Sequence, residues 1–227
     1  MSAARIDHLV VLAASLEQGV AWCEATLGVT PGPGGQHALM GTHNRLLRIA
    51  TVDHPRAYFE IIAIEPGATP QRQGRRWFDL DEAQLQQALR EQGPRLAHFV
   101  ASVPDIDAAV AALRQLDIDR GEVLQASRPG PRGLLRWRIS VREDGRRLFD
   151  GCLPTLIEWG DTHPAAAMGE SGVSLLSLEA SHPQAAQLRA AYEAIGLEAV
   201  RVRQGPPNLC AELLTPGGRI RLESGGL

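Results

Sequence analysis

The chain has 227 residues, of which 44% are apolar and 22% are charged, so it can bury one sizeable core or two small ones and has a globular composition. Its 23 basic and 26 acidic residues give a net charge of −3 without a one-sided charge run, which argues against a nucleic-acid partner or a polybasic membrane anchor. Every basic residue is Arg, which excludes Schiff-base chemistry, lysine general bases and the lysine of a P-loop.

The apolar runs and the cysteines indicate the compartment. The longest apolar runs are of strand length, and the first residues lack the basic start and apolar stretch of a signal peptide. These features predict neither export nor membrane insertion, so we expect a cytoplasmic protein. Cys23, Cys152 and Cys210 lie far apart without C-x-x-C spacing, and we interpret them as small buried hydrophobic residues.

Residues 1–65 have the pattern of a strand, a helix and three more strands. An apolar and partly β-branched run over 6–13 predicts the first strand. Ser15 and Gln18 form a capping box that opens a helix, and Gly28 closes it. Three strand candidates bounded by Gly and Pro follow around 36–40, 45–51 and 57–64.

The same β-α-β-β-β pattern recurs later in the chain. Residues 95–165 repeat it, with His98 at the point of its strand that His8 occupies in the first, and with later strands around 121–126, 134–142 and 154–159. Residues 172–227 are interpreted as a third copy. The segment 66–94 connects the first two modules and is expected to be helical from Asp79 to about Glu91.

Four polar residues stand in otherwise apolar strands: His8, Glu60, His98 and Glu158. Alternate residues of a strand face one side, so Glu158 is expected to share a face with Leu156. A carboxylate among apolar residues needs a cation, a proton or a buried Arg. Two His and two Glu at one place would balance a divalent ion such as Zn, Ni, Co, Mn or ferrous Fe. The alternative is that each His is a hydrogen-bonded core residue.

Several short motifs of the chain resemble the glyoxalase-like domain family of the vicinal-oxygen-chelate superfamily over roughly residues 5–165. In the first module these are Ile-Asp-His-Leu-Val at 6–10, Gly-Gly-Gln-His at 34–37, Gly-Thr-His-Asn at 41–44 and Tyr-Phe-Glu at 58–60. In the second module they are Ser-Arg at 127–128, Leu-Arg-Trp-Arg at 135–138 and Leu-Pro-Thr-Leu-Ile-Glu-Trp at 153–159.

The resemblance implies an α+β fold in which tandem β-α-β-β-β modules form a cupped mixed sheet, with a third similar module at the C-terminus. On that basis His8, Glu60, His98 and Glu158 fall on the four metal-ligand positions of the superfamily. Glu158 and Glu60 are the candidate catalytic bases, because a ligand Glu of such enzymes can leave the metal and take a proton while the metal chelates two neighbouring substrate oxygens.

The glycine-rich segment 32–44 and one Arg supply the candidate substrate contacts. The resemblance favours His37, Thr42 and Asn44 as donors near the metal, whereas the segment alone could be an ordinary turn between two strands. Arg128 could clamp an acidic substrate, although an exposed Arg is usually solvated surface. Trp137 and Trp159 are expected to pack in the core, and His163, which precedes a Pro, to be a turn residue.

The third module departs from the metal pattern, since Leu175 aligns with His8 and Arg221 or a neighbour aligns with Glu60. We expect it to bind no metal, and either to pack within the protein or to cover the sheet of another subunit. A homodimer is common among similar proteins, and the oligomeric state stays open. The leading hypothesis is a metal-dependent isomerase or lyase that transfers a proton on a small substrate with vicinal oxygens. The alternatives are a metal-free protein that binds or sequesters a small molecule, and an extradiol-type dioxygenase.

Overall fold

Two β-sheets and four α-helices make up the computed structural model, in which residues 3–226 are described. The larger sheet is curled and has eight strands in the order β2-β3-β4-β1-β5-β8-β7-β6. Its strands are β1 (Arg5–Leu12), β2 (Gly32–His37), β3 (Thr42–Arg48), β4 (Tyr58–Ile64), β5 (Arg95–Ser102), β6 (Glu122–Gly130), β7 (Gly133–Val141) and β8 (Thr155–Trp159). The helices are α1 (Leu16–Leu27), α2 (Ala83–Gln92), α3 (Ile106–Arg114) and α4 (Ala185–Ile195).

The helix boundaries follow from local capping. Ser15 accepts a hydrogen bond from the Gln18 amide at the start of α1, and Gly28 ends it with a φ of 71°, as predicted. Asp105 caps α3 by accepting from the Ala108 amide. The Glu82 side chain makes no capping hydrogen bond at the start of α2, which is four residues shorter at its N-terminus than the pattern predicts.

The eight-stranded sheet consists of two halves with the same topology. In each half the first strand pairs in parallel with the last, β1 with β4 and β5 with β8. The first strands of the two halves, β1 and β5, pair antiparallel at the centre. Val10 lies opposite Glu60 in the first half, and Val100 lies opposite Thr155 in the second. The duplication predicted from the sequence is therefore present in the strand order.

The two faces of the large sheet bury different cores. The concave face, called the cup here, packs against α2 and the 77–80 segment through Val10, Ile62, Val100 and Ile157. The convex face packs against α1 and α3 through residues such as Leu9, Phe59, Phe99 and Leu156. Side chains at alternate positions of the central strands thus pack into two separate cores.

The C-terminal segment has the predicted order of elements but a different strand order. Its four-stranded sheet runs β10 (Val200–Gln204), β9 (Ser174–His182), β11 (Asn208–Thr215) and β12 (Gly218–Glu223). The first strand of this sheet lies between its second and third strands. In each half of the eight-stranded sheet, by contrast, the first strand pairs with the last. Apolar residues of this sheet and of α4 join the core on the convex face of the same chain.

The glycine-rich segment differs from the predicted turn. Gly32–His37 is itself the edge strand β2, and the turn occupies only 38–41. Cys23, Cys152 and Cys210 are free and buried, as expected. Within residues 3–226, no helix has the length and apolar character needed to cross a membrane.

Candidate functional site

The centre of the site is a buried pair formed by Glu60 on β4 and His8 on β1. His8 Nε2 lies 3.5 Å from Glu60 Oε2, and both side chains are less than a tenth exposed. The ring of Tyr58 stacks on the imidazole of His8 with a centroid separation of 4.5 Å. All three residues line a small cavity of about 30 Å³ in the cup, with Trp137 and Trp159 on its other side.

A β-bulge brings a second carboxylate to His8. Between β1 and β5 the register shifts at Asp7, so that Ile6 pairs with Ala101 and His8 with Val100. Such a bulge re-aims side chains and allows neighbours in sequence to approach each other. His8 Nδ1 consequently lies 2.7 Å from Asp7 Oδ1. The imidazole is held between two carboxylates, with Nδ1 on Asp7 and Nε2 on Glu60.

Asp7 is anchored by two further donors, which come from β8 and from the segment that follows it. The indole nitrogen of Trp159 donates to Asp7 Oδ2 at 2.9 Å, and His163 Nε2 lies 3.0 Å from the same oxygen. His163 Nδ1 accepts from the Ala165 amide, so Nε2 carries the proton that is donated to Asp7. Asp7 is 1% exposed, and these partners compensate its buried charge.

Three of the predicted substrate contacts surround Glu60 on the first half of the cup. Asn44 donates to Glu60 Oε1 at 2.6 Å, and His37 Nε2 lies 3.7 Å from the same oxygen. Thr42 lies one step further away and contacts His37 Nδ1 at 3.1 Å. Thr42 therefore orients His37 rather than facing the cavity.

The two glycines at 34 and 35 allow close approach of the groups around this site. A Cβ on Gly34 would collide with the backbone carbonyl of Asn44, and one on Gly35 would collide with the Arg128 guanidinium. The Gly35 amide donates to Asn44 Oδ1 at 2.8 Å, which fixes the amide orientation that faces Glu60. The absence of a side chain at both glycines thus lets Asn44 and Arg128 pack close to β2.

Arg128 connects the small cavity to a larger one. It lines the cavity beside Glu60 and also an outer cavity of about 320 Å³ between β2, β3 and the 162–171 segment. The outer cavity contains Arg48 and Arg132 as well as apolar side chains such as Leu47 and Met168. A cavity of this size and character suits a small organic acid.

His98 lies on the cup face of the second half but is fully engaged in hydrogen bonds. His98 Nδ1 lies 2.9 Å from the Gly151 carbonyl, so that nitrogen carries the proton. Nε2 accepts from the Thr155 amide at 3.1 Å. Both ring nitrogens are satisfied by protein groups, as in the core-residue alternative.

Glu158 does not face the cup. Its Oε2 accepts from the Ile106 amide at 2.8 Å, at the start of α3, and lies 3.5 Å from Arg138 Nη1. Its neighbours Ile157 and Trp159 line the small cavity instead. Leu156 shares the face of Glu158, as the alternation predicts, but that face belongs to the convex core. This placement corrects the prediction that Glu158 converges with Glu60.

The donors of the cup do not fit a divalent metal ion, although proteins of the vicinal-oxygen-chelate superfamily typically bind one. Two of the four predicted ligands, His8 and Glu60, meet in the first half, whereas His98 has no free nitrogen and Glu158 lies on the other face. Throughout residues 3–226, no three His, Cys, Asp or Glu side chains surround a common point that could hold a metal. We therefore assign no step of the chemistry to a metal.

The contacts fix the charge of each group. Burial alone would lower the pKa of His8, but hydrogen bonds to Asp7 and Glu60 raise it to about 9. Burial alone would raise the pKa of Glu60, but the hydrogen bond and charge of His8 lower it to about 2. Burial lowers the pKa of His37 to about 4. At neutral pH His8 is therefore a cation, Glu60 an anion and His37 neutral.

These pKa shifts predict how pH affects the pair. The stabilisation from His8 should be complete below pH 6.5, its unfolded value, and should be lost as pH rises through about 9. That from Glu60 should be present above pH 4.5 and lost as pH falls through about 2. NMR titration of the His8 ring should show its midpoint near pH 9; a midpoint near 6.5 would contradict the ion pair.

Sequence reasoning missed Asp7, Trp159 and His163 as parts of the site. Trp159 and His163 were predicted as a core residue and a turn residue, yet both donate to Asp7. The one available signal was the charge of Asp7 within an apolar strand, since a buried carboxylate requires partners. Alternation predicts that Asp7 points to the other face of the strand from His8. The bulge that brings the two side chains together has no signature in the sequence.

Comparisons with known proteins agree with this fold. A family model described as a glyoxalase-like domain matches residues 6–196. The chain is similar to the crystal structure of a hypothetical protein from Staphylococcus aureus, at 15% identity, over 97% of this chain and 85% of that one, with a TM-score of 0.58. No curated protein matches the chain.

Two epimerase structures show a weaker likeness. One is methylmalonyl-CoA epimerase in complex with methylmalonyl-CoA and NH4+, at 20% identity, over 71% of this chain and 99% of that one, with a TM-score of 0.43. The other is methylmalonyl-CoA epimerase from Mycobacterium tuberculosis, at 18% identity, over 72% and 92%, with a TM-score of 0.37.

Proposed function

Because the chain belongs to the glyoxalase-like domain family, we propose that it is an enzyme of the isomerase or lyase type that moves a proton beside a carbonyl group of a small acid with two neighbouring oxygens. Glu60 is the base, and His8 is the proton donor to the carbonyl oxygen. The observation that carries this proposal is the buried contact between Glu60 Oε2 and His8 Nε2 at 3.5 Å.

The charges of the pair suit enolisation. Glu60 takes the proton from the carbon beside the carbonyl, and the electrons of that C–H bond form the C=C bond of an enol. The carbonyl oxygen meanwhile receives the proton of His8, which gives the enol, an isomer of the keto acid. Transfer of the proton from the Glu60 carboxylic acid to the neutral imidazole of His8 then restores the pair, and the reverse reaction returns a proton to the carbon. Asp7 keeps the imidazole oriented and stabilises its charge before the transfer. His37 and Asn44 stay neutral and hold the Glu60 carboxylate in place.

The outer cavity supports an acidic substrate. Among the described residues, Arg128 has no carboxylate within ion-pair distance, and it lines both cavities. A substrate carboxylate on Arg128 would place its neighbouring carbonyl at the small cavity, and an apolar remainder would lie against Leu47 and Met168. We therefore propose 2-oxo acids with an apolar tail as the substrate class.

The divalent metal predicted from the sequence is not needed for this chemistry, since His8 supplies the positive charge that stabilises the oxygen. Extradiol cleavage requires iron on two His and one carboxylate, and the donors of the cup do not form that arrangement. A metal-free binding protein remains the second candidate function. It is favoured by the small free volume beside Glu60, about 30 Å³.

Phenylpyruvate in D2O provides the test, with exchange of its hydrogens beside the carbonyl followed by proton NMR. We expect exchange to be faster with the protein than in buffer alone, and we expect EDTA to leave the rate unchanged. Elemental analysis should find substoichiometric metal. Binding seen by tryptophan fluorescence without any exchange would support the binding protein instead. Activity that EDTA removes and a divalent ion restores would overturn the metal-free chemistry.

A further inference from the structure

The second half of the cup holds a buried cation, Arg120, next to the position that Glu60 occupies in the first half. By register, Thr155 is the counterpart of Glu60, because it lies opposite Val100 as Glu60 lies opposite Val10. The Thr155 hydroxyl accepts from Arg120 Nη2 at 2.6 Å. From this geometry we propose that the second half holds a binding site for a small inorganic anion, of the size of chloride, at Arg120.

The buried side chain of Arg120 forms no ion pair with a carboxylate of residues 3–226. It is 2% exposed, and the hydrogen bond that it donates goes to the neutral Thr155. Burial and the charge of Arg142 lower the pKa of Arg120 to about 10, although the charges of Asp119 and Asp144 act in the opposite direction, so Arg120 is still protonated at neutral pH. A buried charge is costly unless it is paired and hydrogen-bonded. An anion bound directly to the guanidinium would supply the ion pair that residues 3–226 do not provide.

The nearest carboxylates are already occupied. Asp144 receives two hydrogen bonds from Arg142, at 2.9 Å from Nε and 2.7 Å from Nη2. Asp119 also pairs with Arg142, at 3.7 Å. His98, which faces the same region, is neutral and donates to the Gly151 carbonyl. Asp119 and Asp144 therefore act on Arg120 only through their charges, and neither forms an ion pair with its guanidinium.

Two buried N–H groups without acceptors belong to residues that line one small cavity. Arg120 Nε and Trp77 Nε1 are both buried and have no hydrogen-bond partner within residues 3–226. Both residues line a cavity of about 10 Å³, together with Phe78, Ser140 and Thr155. That volume admits about one water-sized species. It suits a monatomic anion and excludes sulfate, phosphate or an organic acid. A water could satisfy the N–H groups but not the charge.

Halide binding can be measured through thermal stability, independently of any activity. Sodium chloride replaces sodium gluconate at constant ionic strength, so that screening does not change. We expect the melting temperature to be higher by about 3 °C at a chloride concentration about ten times the dissociation constant, and to rise further with the logarithm of that concentration. Arg120→Met should abolish the rise. Arg90→Met, which removes the same charge from the exposed side of α2, should retain it.

A second measurement does not depend on the variant being folded. Crystals of the unaltered protein soaked in sodium bromide should give an anomalous peak in contact with Arg120. A water with no anomalous signal at that place, or a chloride response that persists in Arg120→Met, would overturn the proposal. Because neither readout uses turnover, failure here leaves the proton-transfer proposal untouched, and failure of the exchange assay leaves this one untouched.

Discussion

Replacing Glu60 with Gln should slow phenylpyruvate exchange by about 10²- to 10⁴-fold, the usual contribution of a positioned general base. The substitution keeps the shape of the side chain but removes the oxygen that accepts the proton. It also removes the negative charge next to His8 Nε2, now 3.5 Å away. The acid and the base of the proposed reaction are therefore both impaired. Exchange is read by proton NMR at neutral pH.

Glu158→Gln is the matched control for this prediction. Glu158, like Glu60, was predicted to be a catalytic base. Its carboxylate instead accepts a hydrogen bond from the Ile106 amide on the far side of β8. The control should keep the exchange rate within about twofold and lose some stability, because a hydrogen bond at the start of α3 is weakened. If Glu158→Gln were as inactive as Glu60→Gln, the site would involve both carboxylates, against the observed placement.

Replacing Asp7 with Asn should lower the free energy of unfolding by about 3 kcal/mol, as expected when one partner of a buried charge pair is removed. For a chain of this length that corresponds to a melting temperature lower by about 6 to 12 °C. Asp7 accepts from His8, His163 and Trp159, and an amide cannot accept all three equally. Thermal unfolding followed by circular dichroism measures the change.

The same variant should also shift the pH dependence of exchange. The hydrogen bond from His8 to Asp7 contributes to its raised pKa of about 9. Without that carboxylate, the activity should begin to fall at a lower pH than in the unaltered protein, because His8 loses its proton earlier. Asp53→Asn, in an exposed loop, is the control for removal of one acidic charge. An unchanged melting temperature and pH profile would show that Asp7 does not position His8.

Much of the fold could be predicted from the sequence. The family and the fold class are confirmed, and the capping residues Ser15 and Gly28 have their predicted roles. These features depend on local rules, such as capping chemistry and alternating apolar residues, that act within a few residues. The strand order of the C-terminal sheet was not predictable in this way, because pairing between distant strands leaves no local trace.

The contact between His8 and Glu60 could be predicted from the sequence, whereas the role of Asp7 and the position of Glu158 could not. His8 and Glu60 meet because both lie on the cup face of paired parallel strands. In the second half the motif match selected Glu158, whereas the register makes Thr155 the counterpart of Glu60. A three-residue difference along a strand reverses the face, since the side-chain period is two. Hence only the pairing register, which a single sequence lacks, could distinguish the two residues.

Duplication has placed a carboxylate in one half of the cup and a buried guanidinium in the other. Glu60 lines the small cavity of the first half, Arg120 lines the smaller cavity of the second, and Trp77 lines both. The two groups share a low-dielectric interior, in which charges interact more strongly than they do in water. Divergence of two copies of one module has thus given equivalent places in the fold groups of opposite charge.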